Sequence, residues 1–230
     1  MSNYKKIDYV LYAHSFTDGQ LWFGNDGFYN LYDWTVFTLD ELVKNNKNVI
    51  VKGHPNFFND FRTKYVPFNK LDRDIFFEIK KKYQSKKIIF LDAPVKNNDL
   101  LKKISKKTIL VSHHGTALTE GNFKGFKTIS SKATMWEPRL KITNSWASKQ
   151  EYVDVLNKEW KELKSSNKND FFDYVNQLYF NPYGVFRKLS WQQIIFKHYH
   201  KKINKDEYVS SFSNETSERS MLGDILSDPK

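Results

Sequence analysis

The sequence predicts an α/β fold: a parallel sheet of about five strands, with helices between them and a helical extension on the C-terminal side. Three observations carry this expectation. Short apolar runs alternate with longer amphipathic ones, the pattern of βαβ units. The short runs are rich in Ile, Val and Leu at consecutive positions, as strands buried on both faces are. After about Thr143 the alternation stops and helical spacing takes over.

The strands are expected at Ile7–Ala13, Asn48–Lys52, Lys87–Leu91, Thr108–Ser112 and Lys127–Ile129. Between the first two, Leu31, Trp34, Thr38 and Leu42 share one face of a helix over Tyr32–Lys44. Ile75, Phe76 and Ile79 mark a second helix over Leu71–Tyr83, and Asp99–Lys103 is short enough for a single turn or two. A fourth helix starts at Thr116 and stops before Gly125. Beyond the sheet, Gln150–Leu163, Asp170–Tyr179 and Trp191–Lys202 read as helices with no strand between them. Lys205–Lys230 is polar and aperiodic, a loosely ordered tail. The expected domains are therefore 1–145, a helical extension over 146–204 packed on it, and the tail 205–230.

Composition narrows the function classes. Across 230 residues, 40% hydrophobic and 17% aromatic content provide for a real core and exclude wholesale disorder. No Cys is present, which excludes a disulfide scaffold and a Cys-ligated zinc site. No apolar run is long enough to span a bilayer, and Met1–Lys6 leads into a strand instead of the apolar core of a signal peptide, so the expected location is cytoplasmic. The formal charge is +11. Residues 41–110 hold 17 Lys and Arg against 7 Asp and Glu, nearly the whole excess. Nucleic acid, a membrane surface or a phosphate-bearing ligand would each fit such a charge. The excess is mostly Lys, and no finger, RRM-type or basic-zipper motif accompanies it, so nucleic acid is not the expected partner. The charge is read instead as attraction for an anionic donor plus solvated Lys.

Polar residues fall at the ends of the expected strands. His14 follows the first, His54 the second, Asp92 the third, His113 and His114 the fourth, and Ser130 and Ser131 the fifth. In an open parallel sheet these positions share one rim, outside which ligands bind. Four of the six His lie there. Gly115 allows close approach of a ligand, and the helix starting at Thr116 turns its unpaired N–H groups to the rim as an anion site. Glu120 lies one turn further on the same face, suited to accept from sugar hydroxyls. Pro55 fixes the backbone beside His54, and Lys52 adds charge two residues earlier. Asp18 and Asp26 sit in a Gly-rich stretch where turn-forming roles compete with chemistry. Asp72 and Asp74 spell Asp-x-Asp, but they open an expected helix and read as cap and dipole partners.

The order Lys52-x-His54-Pro55, then Gly115-Thr116 with Glu120, resembles the C-terminal, donor-binding half of GT-B-fold glycosyltransferases. The resemblance is to bacterial capsular polysaccharide biosynthesis proteins, related to Kdo transferases, polysialyltransferases and CDP-glycerol glycerophosphotransferases. His14 with Asp18, Phe28, Tyr32 with Trp34, and Ile142–Trp146 leading to Glu151 and Tyr152 are also similar to that domain, so the likeness spans roughly residues 7–180. It departs at Lys124-Gly125-Phe126, which lacks a usual Pro, and at His113-His114, where many cytidine-nucleotide users have Ser-Ser.

The resemblance implies a Rossmann-like nucleotide-donor domain over 1–145 that binds a nucleotide-sugar, cytidine-based by analogy. It implies glycosyl transfer to an acceptor hydroxyl of a glycan or lipid-linked acceptor, with no metal and no separate cofactor. The implied catalytic residues are His14, Asp18, His54 and His114. The implied donor-binding residues are Lys52, His54, His113, His114, Gly115, Thr116, Glu120, Ser130 and Ser131. A GT-B enzyme closes two such halves, so a partner chain supplying the N-terminal half is an expected partner. The alternatives are a non-catalytic donor-domain subunit, a metal-dependent hydrolase using the His and Asp residues of the rim, and a nucleotide-sugar 2-epimerase. Trp191–Lys202, aromatic with a basic end, offers peripheral contact with the inner face of the cytoplasmic membrane or an apolar face packed on the domain.

Overall fold

A computed structural model describes residues 4, 6–17, 26–59, 64, 67–134, 142–167, 169 and 170. The helices expected over 170–179 and 191–202, the tail and Asp18 lie outside the described residues, apart from Asp170. The chain divides into two compact units, Met1–Phe171 and Phe172–Lys230, and everything described belongs to the first.

That unit is a six-stranded, wholly parallel sheet. Its strands are β1 (Tyr9–Tyr12), β2 (Val49–Lys52), β3 (Ile88–Leu91), β4 (Ile109–Val111), β5 (Thr128–Ser131) and β6 (Asn144–Trp146), in the spatial order β3-β2-β1-β4-β5-β6. The first five lie where the apolar runs predict them. The sixth corrects the expectation of about five strands with only helices after Thr143. Only Trp146 of its three residues is buried, so Asn144 and Ser145 give no apolar run to read. Pairing of Ile129, Ser130 and Ser131 with Asn144, Ser145 and Trp146 makes it a strand.

Among the described residues, five helices cover the two faces: α1 (Leu31–Lys44), α2 (Pro67–Tyr83), α3 (Asn97–Leu101), α4 (Thr116–Phe123) and α5 (Lys149–Leu156). Asn30 caps α1, its side chain accepting from the Asp33 amide at 2.8 Å. Helix α2 starts four residues before the expected Leu71, at Pro67, where a fixed φ and a missing N–H cost nothing. Helix α5 stops well short of the expected Leu163. Asn157 caps it, and Glu159 with Glu162 forms a capping box that starts a separate 3-10 turn at Trp160–Glu162.

Strand alternation sorts the core into two layers. Leu11, Val49, Val51 and Val111 face Trp34, Leu39, Phe76, Ile79 and Tyr152, from α1, α2 and α5. Val10, Ile50 and Leu110 face Leu100, Leu118 and Phe126, on the side of α3 and α4. In the first layer Trp146 packs on Tyr152 (ring centroids 4.4 Å) and stacks on Trp34 (6.3 Å), while the Thr38 and Tyr152 hydroxyls meet at 2.6 Å. Trp146 and Tyr152, beyond β5, are thereby bound into the sheet's own core.

Gly27 adds a backbone contact to this junction. Its φ is +91°, and a Cβ there would overlap the Lys149 backbone nitrogen at the start of α5. Gly27→Ala should therefore destabilise the fold by about 2 kcal/mol or more, from the left-handed backbone cost plus the overlap. Urea unfolding checks this as a lowered midpoint at unchanged slope.

Candidate functional site

The strand order reverses between β1 and β4: β2 and β3 lie outward of β1, and β5 and β6 lie outward of β4. In doubly wound sheets the crevice for ligands opens at this switch point, outside the carboxyl ends of the strands. His14 leaves β1 and His114 leaves β4 on its two sides. The His14 Nε2–H donates to the His114 carbonyl, and the two rings lie 3.8 Å apart between centroids. His54 joins them from β2, its ring 6.1 Å from that of His14 at an interplanar angle of 27°. Phe57 packs on His54 at 5.8 Å. The His54 Nδ1 accepts from the Asn56 amide at 3.3 Å, so the proton of its neutral ring sits on Nε2.

His113 is built in differently. Only 1% exposed, it stands edge-on to Trp34 and Trp146, 5.7 Å from each. Its Nδ1 lies 2.9 Å from the His114 Nδ1, one ring donating and the other accepting. Three imidazoles therefore meet at the rim, while the fourth props one of them from the aromatic core. Burial, with His14 and His113 alongside, pushes the His114 pKa down to about 2. At ordinary pH His114 is a neutral hydrogen-bonding ring.

Beside these rings starts α4. Gly115 is its N-cap with an extended backbone and no side-chain cap bond. A Cβ at Gly115 would press to 2.9 Å from the Ser112 Oγ, a buried hydroxyl with no hydrogen-bond partner among the described residues. The first turn of α4 begins at the exposed Thr116, where helix N–H groups and the helix dipole favour an anion. Lys52, at the end of β2, is 8% exposed and in register with Tyr12 of β1. Burial lowers its pKa and the charge of Glu120 opposes that shift. Glu120 itself is exposed on α4 and accepts from the Asn97 Nδ2 at 2.8 Å.

Other rim residues are engaged elsewhere. The Ser130 Oγ meets the Thr143 hydroxyl at 2.6 Å, and the Ser131 Oγ donates to Asp26, which also accepts from the Ala133 amide at 3.1 Å. Asp26 thus clasps the turn after β5, with a φ of 42°. Asp92, just after the edge strand β3, pairs with Lys80, whose hydrogen bond holds its carboxyl below the usual range. Among the described residues no three His, Asp or Glu side chains group as metal ligands would.

One sequence reading is corrected. Because α2 starts at Pro67, Asp72 lies inside the helix and not at its cap. It is fully buried, accepting from the Ser15 hydroxyl, the Thr17 amide at 3.0 Å and the Thr17 hydroxyl at 3.1 Å. It anchors the loop that carries His14, a role no local motif announces. Some of the lysines lie away from the site. Lys47, Lys86, Lys87, Lys106, Lys107 and Lys124 come just before strands β2 to β5, on the amino edge of the sheet, opposite the rim.

The fold and the rim define an α/β protein with a Rossmann-like parallel sheet. No family model matches the chain, and no curated protein matches it. A solved structure, Thermosulfurimonas dismutans KpsC, a beta Kdo 2,4 transferase, is similar over 75% of this chain, at 12% identity and a TM-score of 0.44. The match covers 44% of that structure, so this chain spans less than half its length, and nothing about activity follows from the likeness. No helix among the described residues is long and apolar enough to cross a membrane.

Two outcomes are expected. An imidazole whose folded pKa is depressed binds fewer protons folded than unfolded. The contribution of His114 is complete above the ordinary pKa of about 6.5 and is lost as the pH falls toward about 2. Denaturant midpoints measured from pH 8 to pH 4 should fall, and His114→Gln should flatten that fall. Asp72→Ala leaves the Ser15 and Thr17 donors unpaired and should cost about 2–4 kcal/mol. Hydrogen exchange should show the Thr17 amide losing protection more than the amides of β5.

Proposed function

We propose that this protein binds a nucleotide-activated sugar at the rim between β1 and β4 and transfers the glycosyl unit to an acceptor hydroxyl in bacterial surface polysaccharide synthesis. The single observation that carries the reading is the meeting of His14, His54, His114 and the N-terminus of α4 at the strand-order reversal. The motif order Lys52-x-His54-Pro55 and Gly115-Thr116 with Glu120 supports the same donor half.

In this reading the donor's phosphates lie against the first turn of α4, with the His54 Nε2–H as a further donor. As the bond from the anomeric carbon to the phosphate oxygen breaks, its electron pair stays on that oxygen. Preorganised N–H groups meet the developing charge there. The acceptor oxygen forms the new bond to the anomeric carbon and gives up its proton. His14 is placed to take it: with Nε2–H donated to the His114 carbonyl, the basic lone pair of its neutral ring is on Nδ1. His114, neutral and braced by His113, shapes the pocket. Neither a metal nor a separate cofactor enters the scheme. A second domain or partner chain presents the glycan or lipid-linked acceptor, and the reaction runs in the cytoplasm, at the inner face of the membrane for a lipid-linked acceptor.

Calorimetric titration with CMP, CDP and UDP tests the reading. Binding of at least one is expected, and His54→Ala should weaken it about tenfold or more, the worth of one charge-assisted hydrogen bond. Failure of all three to bind would overturn the donor site.

A further inference from the structure

Below the rim, on the face covered by α3 and α4, three side chains form a hydrogen-bonded chain. The Tyr12 hydroxyl donates to the Asn97 Oδ1 at 2.7 Å, and the Asn97 Nδ2 donates to the Glu120 Oε2 at 2.8 Å and to the Ala117 carbonyl at 3.3 Å. The orientation of the Asn97 amide is fixed from both ends. Burial and the charge of Glu120 push the Tyr12 pKa far up, so its hydroxyl remains a donor and Oδ1 must face it. Nδ2 then faces two acceptors, one of them the α4 backbone. Asn97, the first residue of α3, is thereby locked to α4.

The lock has a consequence for Glu120. This residue is exposed on a helix surface, where a Glu side chain ordinarily samples several rotamers. Here Oε2 is held by Asn97, and Oε1 makes no hydrogen bond among the described residues. The carboxylate is presented with one oxygen fixed and the other available, one turn down the helix that begins at Gly115. The charge of Glu120 raises the pKa of Lys52 against the lowering by burial, and Lys52 sits at the end of β2 in register with Tyr12.

We propose that Asn97, oriented by Tyr12, is the positioning residue that makes the site select a ribose over a deoxyribose, by holding Glu120 so that its Oε1 accepts from a sugar hydroxyl. This rests on the nucleotide-donor reading above. Preorganisation of the acceptor is the physical basis: a carboxylate already fixed loses less freedom on binding a hydroxyl than a mobile one. A site built to hydrogen-bond a hydroxyl also discriminates strongly against a ligand that lacks it.

The test compares CMP and UMP with their 2′-deoxy and 3′-deoxy forms by calorimetry, on the unaltered chain and on Asn97→Ala and Tyr12→Phe. The unaltered chain should prefer the full ribose about tenfold over at least one deoxy form. Asn97→Ala should bring that ratio within about twofold while leaving affinity for the deoxy form unchanged. Tyr12→Phe keeps the buried ring, frees the amide to turn, and should reduce the ratio in the same direction. A full ratio in Asn97→Ala, or equal loss for ribose and deoxyribose forms, would overturn the inference and assign Asn97 a purely architectural role. If the unaltered chain binds none of CMP, UMP, CDP and UDP, the nucleotide reading itself fails, and that outcome is visible before any variant is made.

Discussion

The pairing of β1 with β4 is the constraint on which the rest of the structure depends. Tyr9, Val10 and Leu11 lie opposite Ile109, Leu110 and Val111 at the centre of the sheet, between two apolar layers. A slip of one residue would turn every side chain of β1 to the other face, so burial on both sides fixes this register tightly. The strand order reverses here, and the fixed register sets His14 against His114. Their contact is then a consequence of hydrophobic packing some residues away. Asp72 and Gly115 complete the arrangement. The first ties down the loop after β1, and the second lets the start of α4 close over Ser112.

Much of this was legible because strands buried on both faces leave a strong trace. Five of six strands and the four helices between them follow from apolar runs and their spacing, and the rim follows from what stands at the strand ends. The trace fails where structure is made by partners distant in the chain. β6 has one buried residue, so only its pairing with β5 reveals it. Asp72 reads as a helix cap, because the residues that define its role, Ser15 and Thr17, lie more than fifty positions earlier. Asn97 gives no local signal at all. Its two side-chain partners, Tyr12 and Glu120, come from a strand and a helix that meet only once the sheet has formed.

Electrostatics divides the molecule along the strand direction. Several lysines precede the strands and lie on the amino edge, where the carboxyl ends of α1, α2 and α4 also gather. Cations there complement helix dipoles, a structural use for part of the excess. The rim at the other edge works with few charges. His114 is neutral, Asp26 and Asp92 are engaged by Ser131 and Lys80, and Lys52 is mostly covered. In the proposed reading, the rim's hold on an anionic donor rests on directed N–H groups more than on net charge.

The placement of His113 gives the rim an optical consequence. This imidazole touches Trp34 and Trp146 edge-on while its Nδ1 is shared with His114. Indole emission responds to the orientation and protonation of a ring in direct contact. Any event that shifts His114 is therefore passed, through one side chain, to two stacked and buried chromophores. Of the six tryptophans in the chain, Trp34 and Trp146 are thus the two coupled to the rim through His113 among the described residues.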